Sequence, residues 1–535
     1  MASPAPDDPP NATSFPDTST SLTSFLPDLH FKQASTCIRR LFPRHELVRF
    51  HLTPLHCVVE TVDEKKERLK LPWQDVLGAH VVTLDGTHVT QVDTTGTNSP
   101  PSSSLQLGLF ACVSYSATSS GLKTRKTRDF YFTFQHTTLP QVLQLQALIN
   151  YVADPRNQEE VEQVETFDQL QLVARPRRKF LVLVNPVSGK GKSVRIYEKK
   201  AAPVFRFANI ETQVLTMTHA NHAMELAMEL SLNEFDCVVA IGGDGSLYEI
   251  VQGLMKRRDW NVAIRQPIGI IPGGSGNGLA SSIASQCQER PKPVNLAYIL
   301  AKGTSHGLDI ASMRNGKDTV YSFLSMAWAS IADVDLDSEK LRCLGSLRFT
   351  ITFLNQLIFQ RPKYPGTIWY LDEDETLNPP NPYVNDDYQD SKDGPIMDEF
   401  DGERGPPDVV GTKGDASSGK WKKLGPDFRI VWIMNISHAG EDARVAPQAP
   451  FDDGFHYITY IDGSYARTDL AAMLLAMDTG RHVDLKCVQQ IRTRAYKVVP
   501  ERPTDRMCVD GELIEGPYVE AQVHRALARI LLLPK

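Results

Sequence analysis

Three short apolar runs, each closed by a glycine turn, constrain the fold of this chain more than any other feature. The runs occupy 180–184 (FLVLV), 237–241 (CVVAI) and 268–272 (IGIIP), with stretches of helical periodicity between them. Near-continuous apolar strands alternating with helices imply a parallel sheet buried on both faces. The first turn reads Asn185-Pro186-Val187-Ser188-Gly189-Lys190-Gly191-Lys192, the second Gly242-Gly243-Asp244-Gly245-Ser246, and the third Pro272-Gly273-Gly274-Ser275-Gly276-Asn277-Gly278. Glycine permits a sharp turn and brings backbone N–H groups close to an anion. The helix that follows adds a partial positive charge at its N-terminus. In an open parallel sheet, ligands sit outside the carboxyl ends of the strands. One such turn is ordinary geometry. Three together, with Lys190 and Lys192 in one and the single acid Asp244 in another, read as a phosphate cradle.

The cradle matches neither standard nucleotide pattern. Gly191-Lys192-Ser193 fits the end of a Walker A loop, but Pro186 stands at the first glycine position. The Rossmann spacing fails at both later turns, where Gly243-Asp244-Gly245 runs on to Tyr248 and Gly274-Ser275-Gly276 to Leu279.

With 535 residues and roughly 150 per domain, about three folded units are expected. The formal charge of −7 argues against a nucleic-acid partner, which requires a basic face. No apolar run approaches the ~18 residues that span a bilayer. The start MASPAPDDPPNATSFPD resembles no secretory signal, and Ala2 excludes myristoylation. The eight cysteines are scattered, with no metal-ligand or disulfide spacing. A cytoplasmic protein is therefore expected.

Residues 1–30 have the Ser/Thr/Pro/Asp composition of a disordered tail. Over 31–150, alternating strands such as LFACVSYSA and RDFYFTFQ, separated by a basic turn (Lys123 to Arg128), are followed by the helical run QVLQLQALINYVA. This predicts a β-rich, pleckstrin-homology-like module. A polar helical linker is expected over 151–174, the α/β unit over 175–303, and a β-rich C-terminal region over 304–535. An acidic, Pro- and Gly-rich insert at 372–424 interrupts that last region.

The strings GGDGSLYEIVQGL and IIPGGSGNGLA resemble the diacylglycerol-kinase catalytic superfamily, which shares its GGDG turn with NAD kinases and phosphofructokinases. SFLSMAWASIADVDLDSEKLRCLGSLRFT (322–350) and MCVDGELIEGPYVEAQVH (507–524) narrow the resemblance to sphingosine, or long-chain base, kinases. The similarity covers about 180–370 and 427–535. It implies a parallel-sheet α/β nucleotide lobe of NAD kinase/phosphofructokinase type, a C-terminal β-sandwich lobe that binds lipid, and ATP with Mg²⁺ as co-substrate and cofactor. The partners implied are a sphingoid-base lipid and a peripheral membrane surface.

The resemblance also assigns roles. Asp244 is the general base on the lipid hydroxyl, with Gly242, Gly243 and Gly245 shaping that contact. A helix N-cap is the alternative role for Asp244. Asn185, Pro186, Val187, Gly189, Lys190, Gly274, Ser275 and Gly276 hold the nucleotide, with Val187 standing where many members carry arginine. Thr218, Asn221 and Glu249 match further nucleotide contacts. Arg342 and Arg348 match two phosphate-binding arginines, whose planar forks suit that role. Asp335 matches the acid that pairs with the sphingoid amine, and Ser325 a lesser contact beside it. Asp510, Gly511 and Glu512 close the ATP pocket. The residues alone give no metal ligands, and the alternation in Asp333-Val334-Asp335-Leu336-Asp337 predicts a strand with one wet face.

A long-chain base needs an apolar tunnel, since each buried methylene contributes roughly 0.8 kcal/mol. TITFLNQLIFQR (350–361) is a candidate gate, with an ordinary core helix as the alternative. LAAMLLAM (470–477) is a candidate wall or core helix. Two other functions stay open on sequence alone: a ceramide or diacylglycerol kinase, and a catalytically inactive lipid-binding scaffold.

Overall fold

A computed structural model of the chain describes residues 28–31, 47–61, 67–83, 105–117, 121–133, 138–173, 175–188, 191–274, 276–338, 351–352, 355, 363–372 and 421–534. Residues 1–27 of the expected tail, nearly all of the acidic insert and most of the candidate gate lie outside these residues; residues 28–30, expected in the tail, instead form a strand paired with the first module's sheet.

The alternating N-terminal stretches pair into one antiparallel sheet of seven strands: β1 (Asp28–Phe31), β2 (Leu47–Leu52), β3 (His56–Thr61), β4 (Glu67–Pro72), β5 (Val76–Thr83), β6 (Leu105–Ala117) and β7 (Lys123–Thr133). Their order is β4-β3-β2-β1-β7-β6-β5. The Leu139–Ala153 helix covers the sheet by burying Val142, Leu145, Leu148 and Ile149, one apolar stripe at helical spacing. The basic stretch Lys123 to Arg128 is not a turn. It begins β7, and Arg125 is buried there because carboxylates from two lobes meet its guanidinium. Val161, Phe167 and Leu170, in the polar segment that follows, also pack into this core.

The three apolar runs form β8 (Lys179–Val184), β10 (Cys237–Gly242) and β11 (Ile268–Pro272), all parallel. A fourth parallel strand, β9 (Glu211–Thr216), lies at the edge beside β8. Its mostly exposed ETQVLT sequence carries no apolar run, which is why the sequence pattern misses it. Helices begin after each glycine turn, at Ser193–Ile196, Asp244–Met255 and Gly278–Gln286.

The C-terminal lobe holds β12 (Thr304–Arg314), β13 (Thr319–Ser322), β14 (Ser325–Ala329), β15 (Tyr364–Leu371), β16 (Trp421–Leu424), β17 (Asp427–Met434), β18 (His456–Asp462), β19 (Gln489–Thr493), β20 (Ala495–Pro500), β21 (Met507–Val509), β22 (Glu512–Ile514) and β23 (Val519–Leu532). Two antiparallel layers enclose a core that includes Trp328, Phe428, Tyr496 and Val498. The long β23 also pairs in parallel with β11 at Ile530↔Ile268, so the sandwich is hydrogen-bonded directly to the nucleotide-lobe sheet.

The ADVDLD stretch is a helix, Ser330–Ser338, and not the strand its alternation predicts. Ile331, Val334 and Ser338 are buried at helical spacing, and so short a run fits both periods.

Candidate active site

The second and third glycine turns pack backbone against backbone at Gly242, Gly243, Gly273 and Gly274. Gly273 N–H and Gly274 N–H both donate to the Gly242 carbonyl, at 2.8 and 3.0 Å, and Asp244 N–H donates to the Gly276 carbonyl at 3.4 Å. A Cβ on Gly274 would sit 2.7 Å from Gly243 Cα, and one on Gly243 would sit 2.9 Å from the Gly276 oxygen. Close approach therefore dictates glycine at both positions. Asn185 joins the first turn to the second: its N–H donates to the Ile241 carbonyl at 3.1 Å and its Nδ2 to Ser246 Oγ at 3.2 Å. Its Oδ1 accepts from Val187 N–H at 3.2 Å. Pro186 is half-buried and Val187 is 84% exposed.

Asp244 is the first residue of its helix, with Gly243 at the cap position. Its carboxylate lies at the start of the neighbouring helix, accepting from Gly278 N–H at 2.7 Å and Leu279 N–H at 3.2 Å. Burial raises its pKa to about 6; those two hydrogen bonds oppose the shift, and the negative charge of Asp335 adds to it.

Asp335 belongs to the Ser330–Ser338 helix of the other lobe. It accepts from Cys508 Sγ at 3.5 Å, and its Oδ2 lies 3.8 Å from the place a Cβ on Gly511 would occupy. Glu512 comes equally near to Gly245. The two lobes thus bring Asp244, Asp335 and Glu512 around one cleft. Among the described residues, no group of three or more His, Cys, Asp or Glu side chains is arranged to hold a metal ion.

Asp510 and Gly511 form the two-residue turn of the β21–β22 hairpin, with φ of +51° and +89°. Asp-Gly is the sequence such a turn favours. The Asp510 carboxylate accepts from Ser322 Oγ (2.6 Å) and from the N–H groups of Phe323, Leu324 and Ser325 (3.1, 3.2 and 2.9 Å). Burial lifts its pKa to about 7 against those four bonds. It fixes the β13–β14 turn, and with it the buried Ser325.

Glu249 accepts from Ala223 N–H at 3.1 Å, at the start of the His222–Met228 helix. Asn221 caps that helix in the left-handed region, and Thr218 N–H donates to His222 Nδ1 at 3.1 Å. Glu249 therefore reaches the start of the helix that follows the Thr218–Asn221 segment. Gly189, Lys190, Ser275, Arg342 and Arg348 lie outside the described residues.

Arg506 is a residue that motif reading missed. Its Nε donates to Asp333 Oδ1 at 2.8 Å, and Nη1 and Nη2 donate to Asp337 Oδ1 and Oδ2 at 2.9 and 3.1 Å. The available signal was a pair of acids at i and i+4, which repel unless a cation joins them.

Comparison with known proteins agrees with this architecture. The diacylglycerol kinase catalytic domain model matches residues 179–313, and the YegS C-terminal NAD kinase beta sandwich-like domain model matches 422–531. Sphingosine kinase 1 of Homo sapiens is 31% identical over 366 residues, covering 66% of this chain and 90% of that protein. Sphingosine kinase 1 of Arabidopsis thaliana is 29% identical, covering 63% of this chain and 67% of its own length. Sphingoid long chain base kinase 4 of Schizosaccharomyces pombe is 28% identical, covering 63% and 70%. With its GGDG turn, its two-lobed cleft and relatives aligned over most of their length, the chain belongs to the sphingosine kinase (long-chain base kinase) family of the diacylglycerol kinase catalytic superfamily.

Proposed function

We propose that this lipid kinase transfers the γ-phosphate of ATP to the primary hydroxyl of a sphingoid base (sphingosine, dihydrosphingosine or phytosphingosine), giving the 1-phosphate. The observation that carries the reading is the Asp244 carboxylate held at the packed glycine turns by the Gly278 and Leu279 N–H groups, with Asp335 and Glu512 of the second lobe lying against Gly511 and Gly245. Phosphoryl transfer to an alcohol needs an oriented hydroxyl, an acid or base at that hydroxyl, and cations on the phosphates. Asp244 receives the hydroxyl proton, and Asp335 pairs with the ammonium, a group that ceramide and diacylglycerol lack.

The triphosphate rests on the glycine turns. Asn185, Pro186, Val187, Gly189, Lys190, Gly274, Ser275 and Gly276 line it, with Thr218, Asn221 and Glu249 on the nucleoside side. Arg342 and Arg348 neutralise phosphate charge, and Gly511 and Glu512 close the cleft. Asp510 acts through the 322–325 turn. Mg²⁺ bound with the nucleotide would supply positive charge for the transferring phosphoryl group. The lipid arrives from a membrane surface at which the protein docks peripherally, in the cytoplasm; no helix among the described residues is long and apolar enough to cross a membrane.

The test is a radiolabelled-ATP assay with sphinganine, ceramide and diacylglycerol presented in mixed micelles. Preferential labelling of sphinganine is expected. Equal or greater labelling of either amine-free lipid overturns the substrate assignment, and no labelling of any lipid favours a scaffold.

A further inference from the structure

The Ser330–Ser338 helix carries three carboxylates in five residues, at Asp333, Asp335 and Asp337. Asp333 and Asp337 are one helical turn apart and share a face, whereas Asp335 projects from a different side. Arg506 spans the first two with its Nε and both terminal nitrogens. Tyr364 completes the arrangement, its hydroxyl donating to Asp333 Oδ2 at 2.6 Å. Asp335 faces the Cys508 thiol and Gly511, on the side of the glycine turns.

Arg506 also occupies a mechanical position. It immediately precedes β21, which pairs with β14 through Trp328↔Met507 and Met326↔Val509. The acid-bearing helix begins directly after β14, at Ser330. The guanidinium therefore ties the helix back to the hairpin whose turn residue, Asp510, holds residues 322–325.

We propose that Arg506 is a positioning residue for the amine-binding acid: by clamping Asp333 and Asp337 it fixes the rotation of the helix and removes two rival carboxylates, so that the substrate ammonium is directed to Asp335. An ammonium is a compact charge without directional preference, so unpaired neighbours on the same helix would compete for it. A planar guanidinium can hold two carboxylates in fixed geometry, which a lysine cannot. The inference rests on the proposed pairing of Asp335 with the sphingoid amine.

The test measures KM for sphinganine, KM for ATP and kcat in Arg506→Met, Arg506→Lys and Asp335→Asn, with melting temperatures alongside. Arg506→Met is expected to raise KM for sphinganine about tenfold while leaving KM for ATP within about twofold, and Arg506→Lys to recover part of that loss. If Asp335→Asn raises KM for sphinganine but Arg506→Met does not, Arg506 has no positioning role and the amine pairing stands. If Asp335→Asn leaves that KM unchanged, the amine pairing fails and the inference falls with it. A uniform loss in all three kinetic constants that follows the melting temperature, with no recovery in Arg506→Lys, makes Arg506 a purely structural residue and also overturns it.

Discussion

Asp244, the proposed base, shows how burial tunes one carboxyl and what the tuning costs. Its surroundings hold the proton to about pH 6, whereas an Asp in an unfolded chain releases it near 3.8. A base that must be ionised loses function below that value, so kcat/KM is expected to fall tenfold per pH unit below about 6. The same shift has the opposite sign for stability. Between pH 3.8 and 6 the folded chain retains a proton that the unfolded chain has released, so unfolding is progressively favoured as pH rises through this window. The penalty is complete above pH 6. Asp244→Asn removes it and should make the protein about 1–3 kcal/mol more stable at pH 7.5, with the difference closing by about pH 4. Turnover in that variant should drop by about 10²–10⁴ while nucleotide affinity stays within about twofold, since its proposed role is on the acceptor hydroxyl. Thermal melts at the two pH values, pH–rate profiles and nucleotide titrations check these outcomes. An unchanged turnover would remove Asp244 from the chemistry.

At the scale of elements, the glycine turns separate close approach from conformational freedom. Gly274→Ala would force a Cβ to within 2.7 Å of Gly243 Cα, in backbone that cannot yield without moving the cradle. A loss of about 1–3 kcal/mol is expected, with KM for ATP raised about tenfold. Gly245 differs, because among the described residues its Cβ would meet only Glu512 Oε1, at 3.8 Å, an ordinary contact. Gly245→Ala, inside the first helical turn, should match or exceed wild-type stability. Paired melting curves and ATP kinetics distinguish the two sites. These turns were legible in the sequence because their apolar strands and glycines are local signals. The DGE motif was legible as a family resemblance but not as a hairpin turn whose Asp holds a loop 185–188 residues away. Three elements were not legible. β1 falls in a stretch of tail-like composition, β9 is a mostly exposed edge strand, and the Ser330–Ser338 helix hides in a five-residue alternation that burial alone resolves.

At the scale of the molecule, the N-terminal module is built into the nucleotide lobe. Arg125 donates from Nη1 to Asp75 and from Nε to Glu289, both at 2.7 Å, and lies 3.8 Å above the Tyr298 ring. Lys302 Nζ, at the end of the Pro293–Lys302 helix, donates to the carbonyls of Trp73, Val76 and Ala153. Phe110 stacks on Phe207 with ring centroids 4.0 Å apart, and Leu77, Val82 and Phe110 share one apolar core with β8, β10 and β11. None of this joint was readable in the sequence, where Arg125 is one of several basic residues and Glu289 lies 164 positions away. Breaking a buried pair costs more than the pair contributes, because the remaining charges are stranded without solvent. Arg125→Met leaves Asp75 and Glu289 without their guanidinium and should cost about 3–5 kcal/mol. Calorimetry should show a single transition for module and nucleotide lobe, displaced downward, because the shared core couples them. Since Arg125 touches neither cradle nor cleft, kcat measured well below that transition should stay within about twofold of wild type. Two separate transitions, or an unshifted one, would make the module an independent appendage instead.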